Sequence, residues 1–231
     1  MKFSRILKYK FLFVKVDDLV NIGAFSYSGK QWHPFNAVLN EFDKGKGLDH
    51  KTSILSKFYA NYNLIEDKGF LSVHENNWDS IKTAYIPPWG GGKRVNPNND
   101  FEHWIGPKSP EQIDMFLKYF KKLYYKIKKE RYSPIKNVDG FVRVIVLKKE
   151  RKVKYLVVGG QKRSSILSHC GYKKIWVRLQ YTHRDYPGNM PAVVNIKDLD
   201  YWPNVSNGLY SKENAMAFFD EYFEGNTVER K

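Results

Sequence analysis

The residues of this 231-residue chain best suited to chemistry form one short run, Val157-Val158-Gly159-Gly160-Gln161-Lys162-Arg163-Ser164-Ser165. An apolar strand that runs through two glycines into a helix builds a seat for phosphate. Without Cβ atoms, Gly159 and Gly160 let an anion approach the backbone. The first amides of the following helix, from Gln161 onward, point outward with no partner inside the helix, and the helix dipole adds partial positive charge there. Lys162 and Arg163 bring full charges, Arg163 with a fork that matches two phosphate oxygens. Ser164 and Ser165 bring hydroxyl donors. A second reading fits the same letters: two glycines making a tight strand-to-helix turn whose polar residues face water.

The elements around this run are legible from spacing. Phe141 to Leu147 and Val153 to Val158 read as two strands joined by the charged turn Lys148 to Lys152. A helix over about Gln161–His169 follows, closed by Gly171 just past its end, and Ile175 to Leu179 reads as a further strand. Upstream, Ser109-Pro110-Glu111-Gln112 carries a capping serine, a proline at the first helical position and a capping-box glutamine. Ile113, Phe116, Leu117, Phe120, Leu123 and Ile127 then form one apolar stripe, with Lys118, Lys122, Lys126 and Lys129 on another face. Residues 3–16 read as a strand with a turn or short helix near Asp17-Asp18-Leu19. Short helices are expected after Pro34, through Phe42, and from Thr52 or Ser53. Residues 63–108 are aperiodic and rich in turn formers. Within them Pro87-Pro88-Trp89-Gly90-Gly91-Gly92-Lys93-Arg94 reads either as a lid, with Trp89 stacking on a base or sugar, or as a plain surface loop. Val193 to Ile196 reads as a strand, and Ser211 caps a last helix with apolar positions Met216, Phe219 and Phe223. These pieces divide into a 1–108 extension with a long irregular loop, a 109–180 core and a 181–231 cap.

Composition excludes several classes. Hydrophobic residues make up 42% of the chain, enough for a conventional core at this length. No run approaches the ~18 apolar residues of a membrane helix, so no membrane insertion is expected. Phe11-Leu12-Phe13-Val14 is too short for a signal-peptide core. One cysteine, Cys170, leaves neither a disulfide framework nor a cysteine-built zinc site. A soluble cytoplasmic protein is the expectation. The net charge of +15 favours anionic partners. Thirty of the 39 basic residues are lysines, which also fits an A/T-rich coding sequence. Yet Lys118 to Lys154 holds 14 basic and 3 acidic residues, a net +11 that leaves only +4 for the remainder.

The order helix, strand, turn, strand, Gly-Gly-Gln-Lys-Arg, helix, Gly-Tyr, strand resembles the ParB/sulfiredoxin superfamily over roughly Ser109 to Leu179. The matching box is Gly160-Gln161-Lys162-Arg163. The resemblance implies an α+β fold, a mixed sheet with flanking helices, and a nucleotide triphosphate (ATP or CTP, with magnesium) whose phosphates meet Gly160 and Arg163, with Gln161 and Lys162 on the same turn. Trp32-His33-Pro34-Phe35, His103-Trp104 with Gly106-Pro107, and Trp202-Pro203 resemble uncharacterised bacterial and phage ParB-like proteins. The departures carry information. Gln161 stands where sulfiredoxins place their cysteine, which argues against sulfinic-acid reduction, and Cys170 lies at the far end of the helix. Gln161-Lys162 replaces the acid and first arginine of partitioning ParBs, and no helix-turn-helix follows. Gly159 stands where serine kinases of this superfamily carry an acid.

A phosphoryl-transfer acid must then come from elsewhere. Glu102, with His103 as partner, lies just before the Ser109 helix and is the preferred base. Asp139 is a second candidate, although Asp-Gly also suits an ordinary turn. His183-Arg184-Asp185 fits a second anion contact or a solvated loop. No metal-binding spacing of histidines is present, and the metal ligands are not legible. Three functions remain open: a nucleotide-dependent phosphotransferase or hydrolase acting on a small hydroxyl-bearing acceptor or water; a nucleic-acid-binding protein or nuclease, favoured by the basic stretch and 37 aromatic residues; and an inert nucleotide-sensing module.

Overall fold

The computed structural model describes residues 11–61, 84–85, 87–90, 93–94, 108–135, 140–180 and 191–224. Its elements in chain order are β1 (Phe11–Lys15), a 3-10 turn (Val16–Asp18), β2 (Leu19–Val20), α1 (Pro34–Asp43), α2 (Ile54–Asn61), β3 (Ala84–Tyr85), β4 (Lys93–Arg94), α3 (Pro110–Glu130), β5 (Val142–Lys149), β6 (Lys152–Gly159), α4 (Gln161–His169), β7 (Lys174–Leu179), β8 (Val193–Asn195), a 3-10 turn (Ile196–Tyr201), α5 (Pro203–Ser206) and α6 (Lys212–Glu224).

The fold is a mixed α/β arrangement built on an open sheet in the order β1-β7-β5-β6-β2. β5 is its centre. It pairs antiparallel with β6 and parallel with β7, and beyond the β7 contact its second half pairs parallel with β8. β1 closes one edge against β7, and β2 the other against β6. Both edge strands come from the amino-terminal third of the chain.

The expected sequence signals produce the expected helices for identifiable reasons. Ser109 Oγ accepts the Gln112 amide, and the Gln112 side chain accepts the Ser109 amide, so α3 starts on a complete capping box. Its stripe of Ile113, Phe116, Leu117, Phe120 and Ile127 is buried, joined by Tyr124, while its lysines face outward. His33 caps α1: its Nδ1 accepts the Phe35 amide at 3.1 Å. Burial pushes this imidazole down to about 3, so it is neutral and structural. Phe35 meets Phe116 and Phe120 at 5.2 and 5.6 Å between ring centres, which locks α1 onto α3. α4 packs between α1 and α3. The 3-10 turn and β2 stand where a turn or short helix near Asp17 was expected.

Two expectations are corrected. Trp89 is not a surface stacking platform: it is 1% exposed and packs edge-on against Trp202, Phe218, Phe219 and Tyr222 at 5.5–6.0 Å. Asn204 holds the preceding carbonyls, its Nδ2 donating to Pro87 O at 2.7 Å and its amide to Pro88 O at 3.1 Å. The segment thus clasps the carboxy-terminal elements, because four aromatic rings offer more apolar surface than solvent exposure could. In α6 the buried stripe is Ala215, Phe218, Phe219 and Tyr222, whereas Met216 is exposed and Phe223 half-buried. Tyr222 supplies the reason: its hydroxyl donates to Ile22 O at 3.1 Å while its ring stays in the core, so its one polar group is satisfied from an inner position.

Trp89→Ala is expected to cost about 3–5 kcal/mol of stability, the usual range for emptying a buried tryptophan site. Urea unfolding of the two proteins, with unchanged m-value, measures it.

Candidate functional site

The corner at the start of α4 is assembled by sheet register. Arg143 of β5 lies opposite Gly159 of β6, and a bulge between Arg143 and Val144 sets that pairing. Gly160 adopts φ +85°, ψ 28° and is the cap of α4 without a side chain to bond its amides. The left-handed conformation suits glycine alone among the residues of this turn. Ser164 N donates to Gly160 O at 2.9 Å as the first bond of the helix, so the amides of Gln161, Lys162 and Arg163 have no acceptor inside α4.

Two guanidinium groups lie over this bare backbone. A Cβ built on Gly159 would fall 2.9 Å from Arg143 Cζ, and one on Gly160 would fall 3.1 Å from Arg163 Nη2 and 3.3 Å from Val142 Cα. Any side chain at either position would displace an arginine. Arg163 Nη1 donates to Gly140 O, which also accepts the Tyr132 hydroxyl at 2.9 Å. Arg163 is therefore tethered through one nitrogen to a carbonyl and, among the described residues, forms no ion pair. The corner residues Gly159 to Arg163 are partly exposed.

The other expected binding residues are placed differently from one another. Lys162 does not lie along the corner like Arg163. Its ammonium sits 4.5 Å from the Phe116 ring centre and 4.7 Å from that of Tyr119, on α3. Burial pushes its pKa down to about 8. Ser164 and Ser165 are fully buried. Ser164 Oγ turns back to Gly160 O at 3.2 Å, and Ser165 Oγ has no hydrogen-bond partner, so neither hydroxyl is presented at the surface of the corner. Gln161 is partly buried at the first helical position. Glu102, His103, Asp139 and the triplet His183-Arg184-Asp185 lie outside the described residues. Asp139 immediately precedes Gly140, whose carbonyl Arg163 grips. Among the described residues no group of three His, Cys, Asp or Glu side chains could hold a metal ion. The corner's described residues thus offer cations and amides but no carboxylate for magnesium.

Sequence reasoning missed Arg143, Gly140 and Tyr132. It also missed a polar cluster at the other end of α4. Asp43 accepts Tyr124 OH at 2.6 Å, Lys128 Nζ at 3.0 Å and His169 Nε2 at 2.7 Å. These bonds, the Tyr124 one first, hold the Asp43 carboxyl well below the usual carboxylate range. Beside it, Trp32, His33, Asn36, Asn40, Ser168 and His169 line a cavity of about 280 Å³. The nine residues of α4 separate this cluster from the corner by roughly 13 Å, too far to serve one phosphate. No protein-family model, curated protein or solved structure matches the chain.

The Lys162 environment generates a pH dependence. Its folded pKa is depressed relative to the unfolded value near 10.5, so the unfolded chain binds the extra proton between about pH 8 and 10.5. Stability should therefore rise with pH across that window, by on the order of 1–3 kcal/mol. In Lys162→Met this increment should vanish, and at pH 7 the variant should be the more stable protein. Urea midpoints from pH 7 to 10.5 on both proteins give the comparison.

Proposed function

We propose that this chain is a ParB/sulfiredoxin-like nucleotide-binding protein that seats a triphosphate on the Gly159–Gly160 corner, with phosphoryl transfer to a small hydroxyl-bearing acceptor or to water as its chemistry. The observation that supports this reading is the bare backbone at the amino terminus of α4 with two guanidinium groups lying over it. Backbone amides from Gln161 to Arg163 would meet phosphate oxygens, and Arg163 and Arg143 would neutralise their charge. The resemblance over residues 109–179 supports the choice of a nucleotide over other phosphates.

In this reading the binding half of the site is held by rigid elements, as transfer chemistry requires, since catalysis here is mostly positioning and charge stabilisation. Gly159 supplies no acid, so the proton acceptor is assigned to Glu102 with His103, or to Asp139, the residue before Gly140 in the sequence. Magnesium would enter with the nucleotide and supply neutralising charge, held by the nucleotide itself, since the described residues of the corner include no carboxylate. Lys162, half-withdrawn between two rings, would act at second hand: an anion at the corner favours its protonated form.

Thermal melts with ATP, CTP and GTP in the presence of magnesium test the proposal. A nucleotide at a hundred times its Kd should raise Tm by roughly 5–10 °C for a domain of this size. Arg163→Ala should lose the shift while keeping its circular dichroism spectrum. Glu102→Ala should keep the shift and lose turnover of the nucleotide. An unshifted wild-type melt with all three nucleotides refutes the seat.

A further inference from the structure

The outer face at the β1 edge of the sheet is unlike the rest of the surface. In β1 and β7 the alternate residues Val14, Ile175 and Val177 are buried. The residues between them pair directly across the two strands as Phe11 with Arg178, Phe13 with Trp176, and Lys15 with Lys174. Directly opposed residues share one face of a sheet. Phe13 and Trp176 are 54% and 50% exposed, their rings 5.1 Å apart and tilted by 37°, and Lys174 Nζ lies 5.9 Å from the Phe13 ring centre. Lys15, Lys174 and Arg178 are exposed as well. The next strand continues the pattern: Arg178 stands opposite Arg143, and Phe11 packs on Phe141 at 4.6 Å.

This face is costly as it stands. Two large rings are half in water, and Lys15 and Lys174 oppose each other as like charges across strands, which is destabilising. No acidic side chain stands on β1 or β7. The cost would be relieved by a partner that is both anionic and able to cover aromatic faces.

From this geometry we infer that the Phe13–Trp176 face of β1 and β7 binds single-stranded nucleic acid. Bases stack on the two rings, and the backbone phosphates meet Lys15 and Lys174 at one end of the rings and Arg178 at the other. The two basic ends are four residues apart on β7, roughly 13 Å, so the charges bracket the stacked bases. A duplex fits poorly, because its bases already stack on each other and offer only edges. A second copy of this chain would bring like charge against like charge. An anionic membrane calls for side chains that protrude, whereas about half of each ring is covered.

The test is titration of the full chain with a twelve-nucleotide oligothymidylate and oligouridylate, an equivalent duplex, and vesicles of phosphatidylcholine with phosphatidylserine. The expected result is quenching of Trp176 emission by both single strands, with affinity falling steeply as salt rises from 50 to 300 mM. Trp176→Ala and Phe13→Ala should each weaken binding about tenfold. Lys174→Glu with Arg178→Glu should weaken it further and flatten the salt dependence. Unchanged melting curves for these surface variants secure the comparison. Equal or tighter binding of the duplex, binding to vesicles but not to the strands, or strand affinity indifferent to all of the variants overturns the inference. Arg163→Ala should leave strand binding intact, so a failed nucleotide seat and a failed sheet face give different results.

Discussion

A side chain at position 159 would occupy the space that the Arg143 guanidinium fills, and the site depends on that one steric exclusion. Because Gly159 has no Cβ, Arg143 can cross from β5 and lie on the end of β6. Because Gly160 takes a left-handed conformation, the chain turns into α4 within one residue and Arg163 returns over the same backbone. Among the described residues Arg163 meets a carbonyl dipole, that of Gly140, rather than a carboxylate. A dipole fixes a guanidinium without neutralising it. The charge stays available to an incoming anion, which a salt bridge would have consumed.

Much of this was readable in advance, and the failures have definite causes. The strand, the glycine pair, the helix and its closing Gly171 are local features, set by propensity and backbone freedom, and they stand where spacing put them. Arg143 was not readable. Counting back from the two-residue turn between Lys149 and Lys152 puts Val158 opposite Arg143; the bulge at Arg143/Val144 advances the register to Gly159. A bulge is a product of sheet twist and edge packing, and no letter in the strand announces it. Ser164 and Ser165 mislead for a related reason. Their types suit a phosphate, but their helical phase turns them inward against the sheet, and phase is fixed by what α4 packs upon rather than by its first residues. Trp89 reads as a loop residue among prolines and glycines, and only the aromatic set gathered by α6 from far along the chain shows why it is buried.

The two ends of α4 illustrate how one short helix separates two kinds of polar chemistry. Its first turn presents amides and arginines, an arrangement that suits anions. Its last residue, His169, donates to Asp43, which also gathers Tyr124 and Lys128 and so ties α1, α3 and α4 together at their carboxy-terminal ends. That cluster satisfies itself internally. At the corner the first amides of α4 find no acceptor within the helix.

Charge crowded along the sequence and charge crowded in space turn out to be different things in this chain. The stretch from Lys118 to Lys154 holds most of the excess, but its α3 lysines fan along a solvated helix face, where water and salt screen them, and Lys128 is paired with Asp43. The sheet face at β1 and β7 draws Lys15, Lys174 and Arg178 from two segments 160 residues apart, neither conspicuous alone, and sets them around two rings on a rigid frame. The sheet fixes the spacing of the backbone positions that carry these cations, whatever the freedom of the side chains themselves. The row Phe11, Arg178, Arg143, Gly159 then runs unbroken across four strands, from the edge of the sheet to the corner of α4. One line of register therefore puts the aromatic edge and the corner of α4 at opposite ends of a single four-strand row.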